Sequence, residues 1–547
     1  MNFKENETPE KLRGHYYTDS QLASFLTRWV LETQPNSILE PGCGDGIFIE
    51  SIAHLLKKPN KLKSIIGFEI EPNEAEKARK RYTALKGVKA NIYTKDFLGW
   101  SLLNFFNKPL FDGVLGNPPF IRYQYLEDFI QERAEKIFNL FNLKFTKHTN
   151  AWVPFVVSSI AMLRPGGRLA MVVPSEILHV PHAESLRLFL TAQCSKILIF
   201  DPEELWFDNV LQGTVLLLTE KKINKNDDCR GVAIIPTKDR SFLNENANKY
   251  FEKANYVNGK ILRGKKWMRG LLTSHERNIL DAVSNNPDVF LFDQVAGVDV
   301  GIVTGANKFF LVSDSIVSEF GLEQWAYPMF GRSEHVRGLI YDKKNHNENR
   351  KLGLPTNFLW LKEEVDELPA SVRNYIQLGE KQELHKRYKC RIRNPWYCVP
   401  SVYVSSVGML KRCHYFPRLI YNKAKAFTTD TAYRIKTTRG IAIEKLVFAF
   451  VNSLTSLSSE LEGRHYGGGV LELVPSEIER VIIPMPKIAI DLRRLDHDFR
   501  KGVSPEELLI NQDELLLKAI GLSKQDRQVL FSAWNRLRKR RQRVRNK

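Results

Sequence analysis

The chain has 547 residues, too many for one compact core, so two or three domains are expected. Hydrophobic residues make up 43% and aromatics 11%, with no apolar run long enough to span a bilayer, which excludes a membrane-spanning class and fits a globular one. A net charge of +19 favours polyanionic partners, nucleic acid first. Residues 1–15 are polar with acids among them, unlike a signal peptide, and the six cysteines are scattered without a Cys-x-x-Cys pair. They read as reduced thiols of a cytoplasmic protein, with no metal site.

In chain order, residues 21–33 repeat apolar positions at helical spacing after Thr18-Asp19-Ser20, a helix start. Residues 37–56 read as a short strand, a glycine-rich turn and a helix, and 63–72 as a second strand with acids at its end. The third strand, 90–100, closes on Asp96, and a fourth, 111–120, runs into Gly116-Asn117-Pro118-Pro119-Phe120. A helix over 151–163, a turn and fifth strand over 164–178, and two further strands before residue 222 follow. Such alternation predicts an α/β domain with a mainly parallel sheet, whose ligands bind beyond the carboxyl ends of the strands. Trp152 and Phe155 fall at core spacing, and Arg164 and Arg168 flank a Gly-Gly turn as solvated cations.

Past residue 222 the pattern weakens. Residues 221–231 are polar, a loop or linker, and 342–351 read as a lysine-rich loop. Aromatic and basic residues cluster at 265–270, 386–397, 411–427 and 463–469, and the last twelve residues hold eight Lys or Arg. The expected division is 1–240, 241–500 and a helical basic tail 501–547, which either contacts phosphates or frays. Base-reading residues are expected between 260 and 470.

The chemistry gathers at the strand ends. Glu40-Pro41-Gly42-Cys43-Gly44-Asp45-Gly46 permits close ligand approach, yet matches neither the dinucleotide fingerprint nor a phosphate loop. An acid just before the glycines repels pyrophosphate and suits a cationic amino-acid moiety, as in S-adenosylmethionine. Glu69 ends the second strand, where a carboxylate takes ribose hydroxyls. Asp96 and Phe97 end the third, placed for an adenine amino group and its face. Each acid alone reads as a cap or a solvated residue; three in order, one strand apart, make a set. Asn117 and the Pro118 carbonyl can accept both N–H groups of a conjugated amine and leave its lone pair for a methyl sulfonium. The prolines hold these acceptors without reorganisation, and Phe120 offers a stacking face for an extruded base. Neither a metal nor a general base is required by this scheme.

These residues resemble the amino-methylating DNA methyltransferases, in particular the γ-ordered adenine-N6 group of restriction–modification systems. His15-Tyr16-Tyr17-Thr18 is similar to that group's first cofactor motif, with Asp19 where proline is frequent. Leu39 to Gly46 resembles the glycine-rich motif, Gly67 to Ile70 and Lys95 to Phe97 the ribose and adenine contacts, and Asn117 to Phe120 the catalytic motif with Phe in place of the more frequent Tyr. Phe207 looks like the aromatic beside the flipped base, and Gly301 to Asn307 and Arg464 to Gly469 more loosely resemble pieces of a target-recognition region, though by themselves they read as turns.

The resemblance implies a Rossmann-like S-adenosylmethionine-dependent methyltransferase domain followed by a mixed α+β target-recognition domain. It implies catalysis by Asn117, Pro118 and Phe120, and cofactor binding by Thr18, Glu40, Pro41, Gly42, Gly44, Glu69, Asp96, Phe97 and Asn117. Phe120 and Phe207 would stack on the base. The substrate would be double-stranded DNA, the enzyme a monomer, and any restriction endonuclease a separate protein. Cytosine-N4 methylation, an RNA or protein amine as acceptor, and a non-enzymatic DNA-binding component are the alternatives. Asn rather than Ser at the head of the catalytic motif favours adenine by resemblance, and the aromatic-basic second half favours DNA.

Overall fold

The computed structural model describes residues 17–56, 60–82, 85, 87–105, 110–203, 213–258, 266–438, 440–466 and 468–542. The described residues divide into two compact units, residues 17–271 and residues 272–542. His15, Tyr16 and Phe207 lie outside the described residues.

The first unit is built on an eight-stranded sheet in the order β3-β2-β1-β4-β5-β7-β6-β8. Its strands are β1 (Ser37–Glu40), β2 (Ser64–Glu69), β3 (Lys89–Thr94), β4 (Phe111–Gly116), β5 (Leu163–Pro174), β6 (Cys194–Pro202), β7 (Thr214–Lys221) and β8 (Val232–Thr237). β3, β2, β1, β4 and β5 run parallel, β7 is antiparallel to both neighbours, and β8 pairs parallel with β6. The order reverses beside β1, which opens a crevice at the carboxyl ends of β1 and β4. β8 was not legible: it follows the polar 222–231 segment, and its Val232, Ala233 and Ile234 complete the buried edge.

Local chemistry explains the elements that frame the crevice. Asp19 caps the helix Ser20–Leu31, its side chain accepting from the Gln21 N–H at 2.9 Å. That helix buries Leu22, Phe25, Leu26 and Trp29 against a core that includes Ile38, Leu115, Leu198 and Phe200. The helix Trp152–Met162 is buried on nearly every face, so its periodicity carries no solvent side. Arg168, read from the sequence as solvated, is a correction: it is buried at 7% exposure. Its guanidinium lies 4.6 Å from the Trp29 ring, donates to the Trp29 carbonyl at 2.9 Å and reaches Glu220 at 3.4 Å. Arg164 stays half-exposed and pairs with Asp112 at 2.8 Å.

The second unit holds a five-stranded sheet, ordered Ala296–Val300, Ala432–Thr437, Val407–Leu410, Leu419–Asn422, Ile340–Tyr341, with smaller sheets around it. Only its last pairing is parallel. Residues 342–351, read as a loop, are corrected to a helix, Lys343–Lys351. The Asp342 side chain caps it, accepting from the Asn345 N–H at 2.9 Å. Its inner face is polar: His346 meets the Tyr341 hydroxyl at 3.0 Å and Asn349 donates to the His335 carbonyl at 2.7 Å. Hydrogen bonds replace the apolar stripe, so hydrophobic periodicity could not reveal it.

The chain's final helices, Pro505–Ala519 and Lys524–Arg541, belong to this unit. Arg541 is fully buried against Glu460, at 2.7 Å, and donates to the His414 carbonyl at 2.9 Å. Arg538 pairs with Glu506 and Arg536 with Glu276. The basic segment is therefore no frayed end as far as residue 541; these arginines fasten the last helix.

Candidate active site

A cleft open to solvent lies at the carboxyl ends of β1 to β4. Thr18, Glu40, Pro41, Gly42, Gly44, Glu69, Asp96, Phe97 and Asn117, all anticipated from the sequence, line it. Apart from Thr18, which precedes the helix Ser20–Leu31, they end or follow neighbouring parallel strands, which explains how residues far apart in sequence converge.

The glycine turn has two distinct requirements. Gly46 caps the helix Ile47–Leu55 at φ 89°, and an added Cβ would lie 2.9 Å from the Ala78 Cα. Gly44, at φ 51°, would meet nothing within 4 Å; its side is open to the cleft. The buried alanines Ala75 and Ala78 let the helix Pro72–Tyr82 approach this closely.

Glu40 is the most unusual group here. It is 1% exposed, and neither carboxylate oxygen has a hydrogen-bond partner among the described residues. Burial, with Asp45 and Glu69 nearby, pushes its carboxyl well above the usual carboxylate range. A buried, unpaired acid on a cleft wall fits a cationic ligand group that would restore its ionised form.

Glu69 is also buried, at 7% exposure, yet each of its oxygens accepts one backbone hydrogen bond and keeps acceptor capacity for a ligand. One oxygen accepts from the Gly44 N–H and the other from the Glu71 N–H, each at 2.9 Å. It therefore holds the glycine turn against the end of β2. Asp96 stands two residues past β3 and caps the helix Phe97–Asn104, accepting from the Gly99 N–H at 2.7 Å and from the Leu98 N–H at 3.2 Å. Arg133 adds a contact at 2.6 Å. The Phe97 ring packs with Phe68 and Phe155, at centroid separations of 5.5 and 5.4 Å.

Beyond β4, the half-buried Asn117 donates from its amide to the Thr18 hydroxyl at 3.2 Å. This contact joins the segment before the first described helix to the Asn-Pro-Pro turn. Pro119 lines the cleft; Pro118 is buried and Phe120 is half-buried against the core, neither among the lining residues.

Sequence reading gave no individual site role to several walls of the cleft: Tyr17, Ile70, Ile121, Ile130 and Phe155. Tyr17 and Ile70 are exposed members of recognised motifs, so the motifs themselves were the available signal. Phe155 was assigned to the core, and its ring does both, being 8% exposed and lying 3.8 Å from a Cβ built on Gly42. Among the described residues, no group of three or more His, Cys, Asp or Glu could hold a metal ion, and no helix is long and apolar enough to cross a membrane.

Fold and cleft together define an α/β protein that takes its ligand at the carboxyl ends of parallel strands. The model of the N-6 DNA methylase family matches residues 2–265 of this chain, and the model of the C-terminal domain of type II methyltransferase M.Eco57I matches 264–517. It is 24% identical to type II methyltransferase M.AccI of Acinetobacter calcoaceticus over 85% of this chain and 84% of that protein. It is 22% identical to type II methyltransferase M.HindII of Haemophilus influenzae over 56% of this chain and 57% of that protein. A solved structure of the type IIL restriction–modification enzyme MmeI in complex with DNA aligns with 95% of this chain and 72% of its own, at a TM-score of 0.51 and 13% identity. That last likeness is one of fold.

Proposed function

We propose that the chain is a site-specific DNA methyltransferase that transfers the methyl group of S-adenosylmethionine to N6 of an adenine flipped out of duplex DNA. It would serve as the modification enzyme of a restriction–modification system, as a cytoplasmic monomer beside a separate endonuclease. The observation that carries this reading is the meeting, in one cleft, of the unpaired Glu40, the turn-holding Glu69, the cap Asp96, and Asn117 and Pro119 of the Asn-Pro-Pro turn. The match of residues 2–265 to the N-6 DNA methylase family model supports it.

In this reading Glu40 faces the ammonium, Glu69 the ribose hydroxyls, and Asp96 with Phe97 the adenine of S-adenosylmethionine, with Pro41, Gly42 and Gly44 leaving room and Thr18 closing the site. When bound, S-adenosylmethionine supplies an electrophilic methyl group. The rest is the work of the chain. The Asn117 side-chain oxygen and the Pro118 carbonyl accept the two N–H groups of the target amine and draw its nitrogen toward tetrahedral geometry. The lone pair would then bond the methyl carbon as the methyl–sulfur bond breaks and its electron pair stays on sulfur as a thioether, and the resulting acidic ammonium would give a proton to water. The Thr18 contact orients the Asn117 amide, and the prolines fix its backbone, so the acceptors are in place before the base arrives. Phe120 and Phe207 would pack on the base.

The test is methyl transfer from labelled S-adenosylmethionine to mixed-sequence duplex DNA, followed by nucleoside digestion. Label in N6-methyladenine is expected. Label in N4-methylcytosine would overturn the assigned base, and absence of label in DNA would overturn the assigned substrate.

A further inference from the structure

The site described above occupies the first unit and leaves unexplained a basic, aromatic segment of the second, residues 386–393. Its side chains alternate in a consistent way. Cys390 is fully buried, its Sγ 3.8 Å from the Thr304 carbonyl oxygen. Arg393 turns inward as well, donating to the Thr304 carbonyl at 2.8 Å and to the Val303 carbonyl at 2.5 Å. These two residues bolt the segment to the turn Gly301–Ala306. The fit is close: a Cβ on Gly305, at φ 81°, would lie 2.8 Å from the Lys389 Cβ. The turn is itself held, with Asn307 donating to Asp430 at 3.0 Å.

The opposite side of the segment faces solvent. Arg387, Lys389 and Arg391 are exposed, and none has an ion-pair partner among the described residues. Tyr388 is 63% and Ile392 62% exposed, although both are apolar enough to prefer cover. The Lys389 ammonium and the Arg391 guanidinium each sit 5.6 Å from the Tyr388 ring centroid, so the ring is bracketed by two cations. Many exposed cations of this chain answer a nearby acid, as Lys386 answers Glu383 at 2.6 Å; these three do not. A rigidly anchored surface with unanswered positive charge and a protruding aromatic is complementary to a polyanion that has apolar faces between its charges.

We infer that Arg387, Lys389 and Arg391, with Tyr388 between them, form a contact surface for the backbone of duplex DNA. This rests on the reading of the chain as a DNA methyltransferase and names a surface that its cofactor cleft does not contain. Each cation takes a phosphate, Tyr388 packs on the sugar between them, and Arg393 and Cys390 keep the segment in one conformation. Such contacts supply affinity and register without reading sequence.

The experiment measures binding of a mixed-sequence duplex to the full chain by fluorescence anisotropy across 50 to 200 mM salt, roughly the range over which phosphate contacts dominate. For R387Q/K389Q/R391Q the slope of log affinity against log salt should flatten by about 2 to 3, since each phosphate contact contributes roughly 0.9. Affinity near 0.1 M salt should fall by roughly tenfold or more. Y388A should weaken binding with the slope unchanged. The charge-matched control K343Q/K344Q/K351Q, on the helix Lys343–Lys351, should flatten it by about 1 or less. An unchanged slope in the first variant, or equal changes in both triples, would overturn the assignment. S-adenosylmethionine affinity, measured in the same preparations, should be unaltered throughout. Failure of the unsubstituted chain to bind duplex DNA would overturn this surface together with the reading beneath it, whereas normal binding with an unaltered slope would overturn the surface alone.

Discussion

Replacing Glu69 by glutamine, ordinarily a mild change, should be severe. Its two oxygens accept from two different backbone N–H groups, Gly44 and Glu71, each at 2.9 Å, in a site only 7% exposed. A glutamine amide has one acceptor oxygen. Whichever way it turns, its NH2 faces one of those N–H groups and leaves that donor unsatisfied. A buried unsatisfied donor costs about 1–3 kcal/mol, and loss of charge assistance at the other bond adds about 1 kcal/mol. The total is ~2–4 kcal/mol. In a unit of this size each kcal/mol moves Tm by about 2–4 °C, so a fall of roughly 5–15 °C is expected. Differential scanning calorimetry near neutral pH, without cofactor, reads this directly. The surface control is Glu76→Gln, which removes an exposed pair with Arg79 and should cost about 0.5 kcal/mol or less. A Tm for Glu69→Gln indistinguishable from that of Glu76→Gln would refute the two-bond account of how the glycine turn is held.

Three further outcomes follow from the same geometry. Glu40→Gln should stabilise the cofactor-free protein: because burial raises the folded carboxyl, the unsubstituted chain loses stability as pH climbs above the ordinary carboxylate value near ~4.3, and melts across pH should show the gap widening until the raised value is passed. The same variant should gain less stability from S-adenosylmethionine. Gly46→Ala should cost about 2–5 kcal/mol by denaturant unfolding, combining left-handed strain with the clash at Ala78, whereas Gly44→Ala, with open space, should cost only about 1–2 kcal/mol. In the second unit the Arg541 guanidinium and His465 hold the Glu460 carboxyl down to about 2 despite burial. That shift corresponds to about 3 kcal/mol present above the usual carboxylate range and lost as pH falls toward 2. Glu460→Gln should therefore destabilise the unit by about 3–5 kcal/mol at pH near 7, with a smaller deficit in acid, by urea melts.

What was legible in the sequence, and what was not, has a common physical basis. The strand-end acids and the glycine turn could be read because each ends or closely follows a short strand, and the sheet order then aligns them. The same local reading allowed Asp96 to be a cap or a ligand contact; its capping bonds go to the helix that follows it directly, whereas its pairing with Arg133 depends on a helix 37 residues on. Arg168 looked solvated because a Gly-Gly turn precedes it, and the Trp29 face that buries it comes from a distant helix. The helix Lys343–Lys351 escaped notice because its buried contacts are hydrogen bonds, which leave no apolar period. Phe120 reads as a stacking ring from its motif, while its packing against the core appears only in three dimensions. The second unit, whose strands pair across long sequence separations, offered turns and charge clusters but no order.

The central claim is that Asn117 activates the target amine. Its most direct test is the single-turnover rate of methyl transfer by Asn117→Ala, with S-adenosylmethionine prebound and duplex DNA in excess. The account predicts a fall of about 10²- to 10³-fold, the usual loss for one preorganised hydrogen-bonding group at a reacting centre, with cofactor affinity changed only a few-fold. An unaltered single-turnover rate in a folded, cofactor-bound Asn117→Ala protein would contradict it.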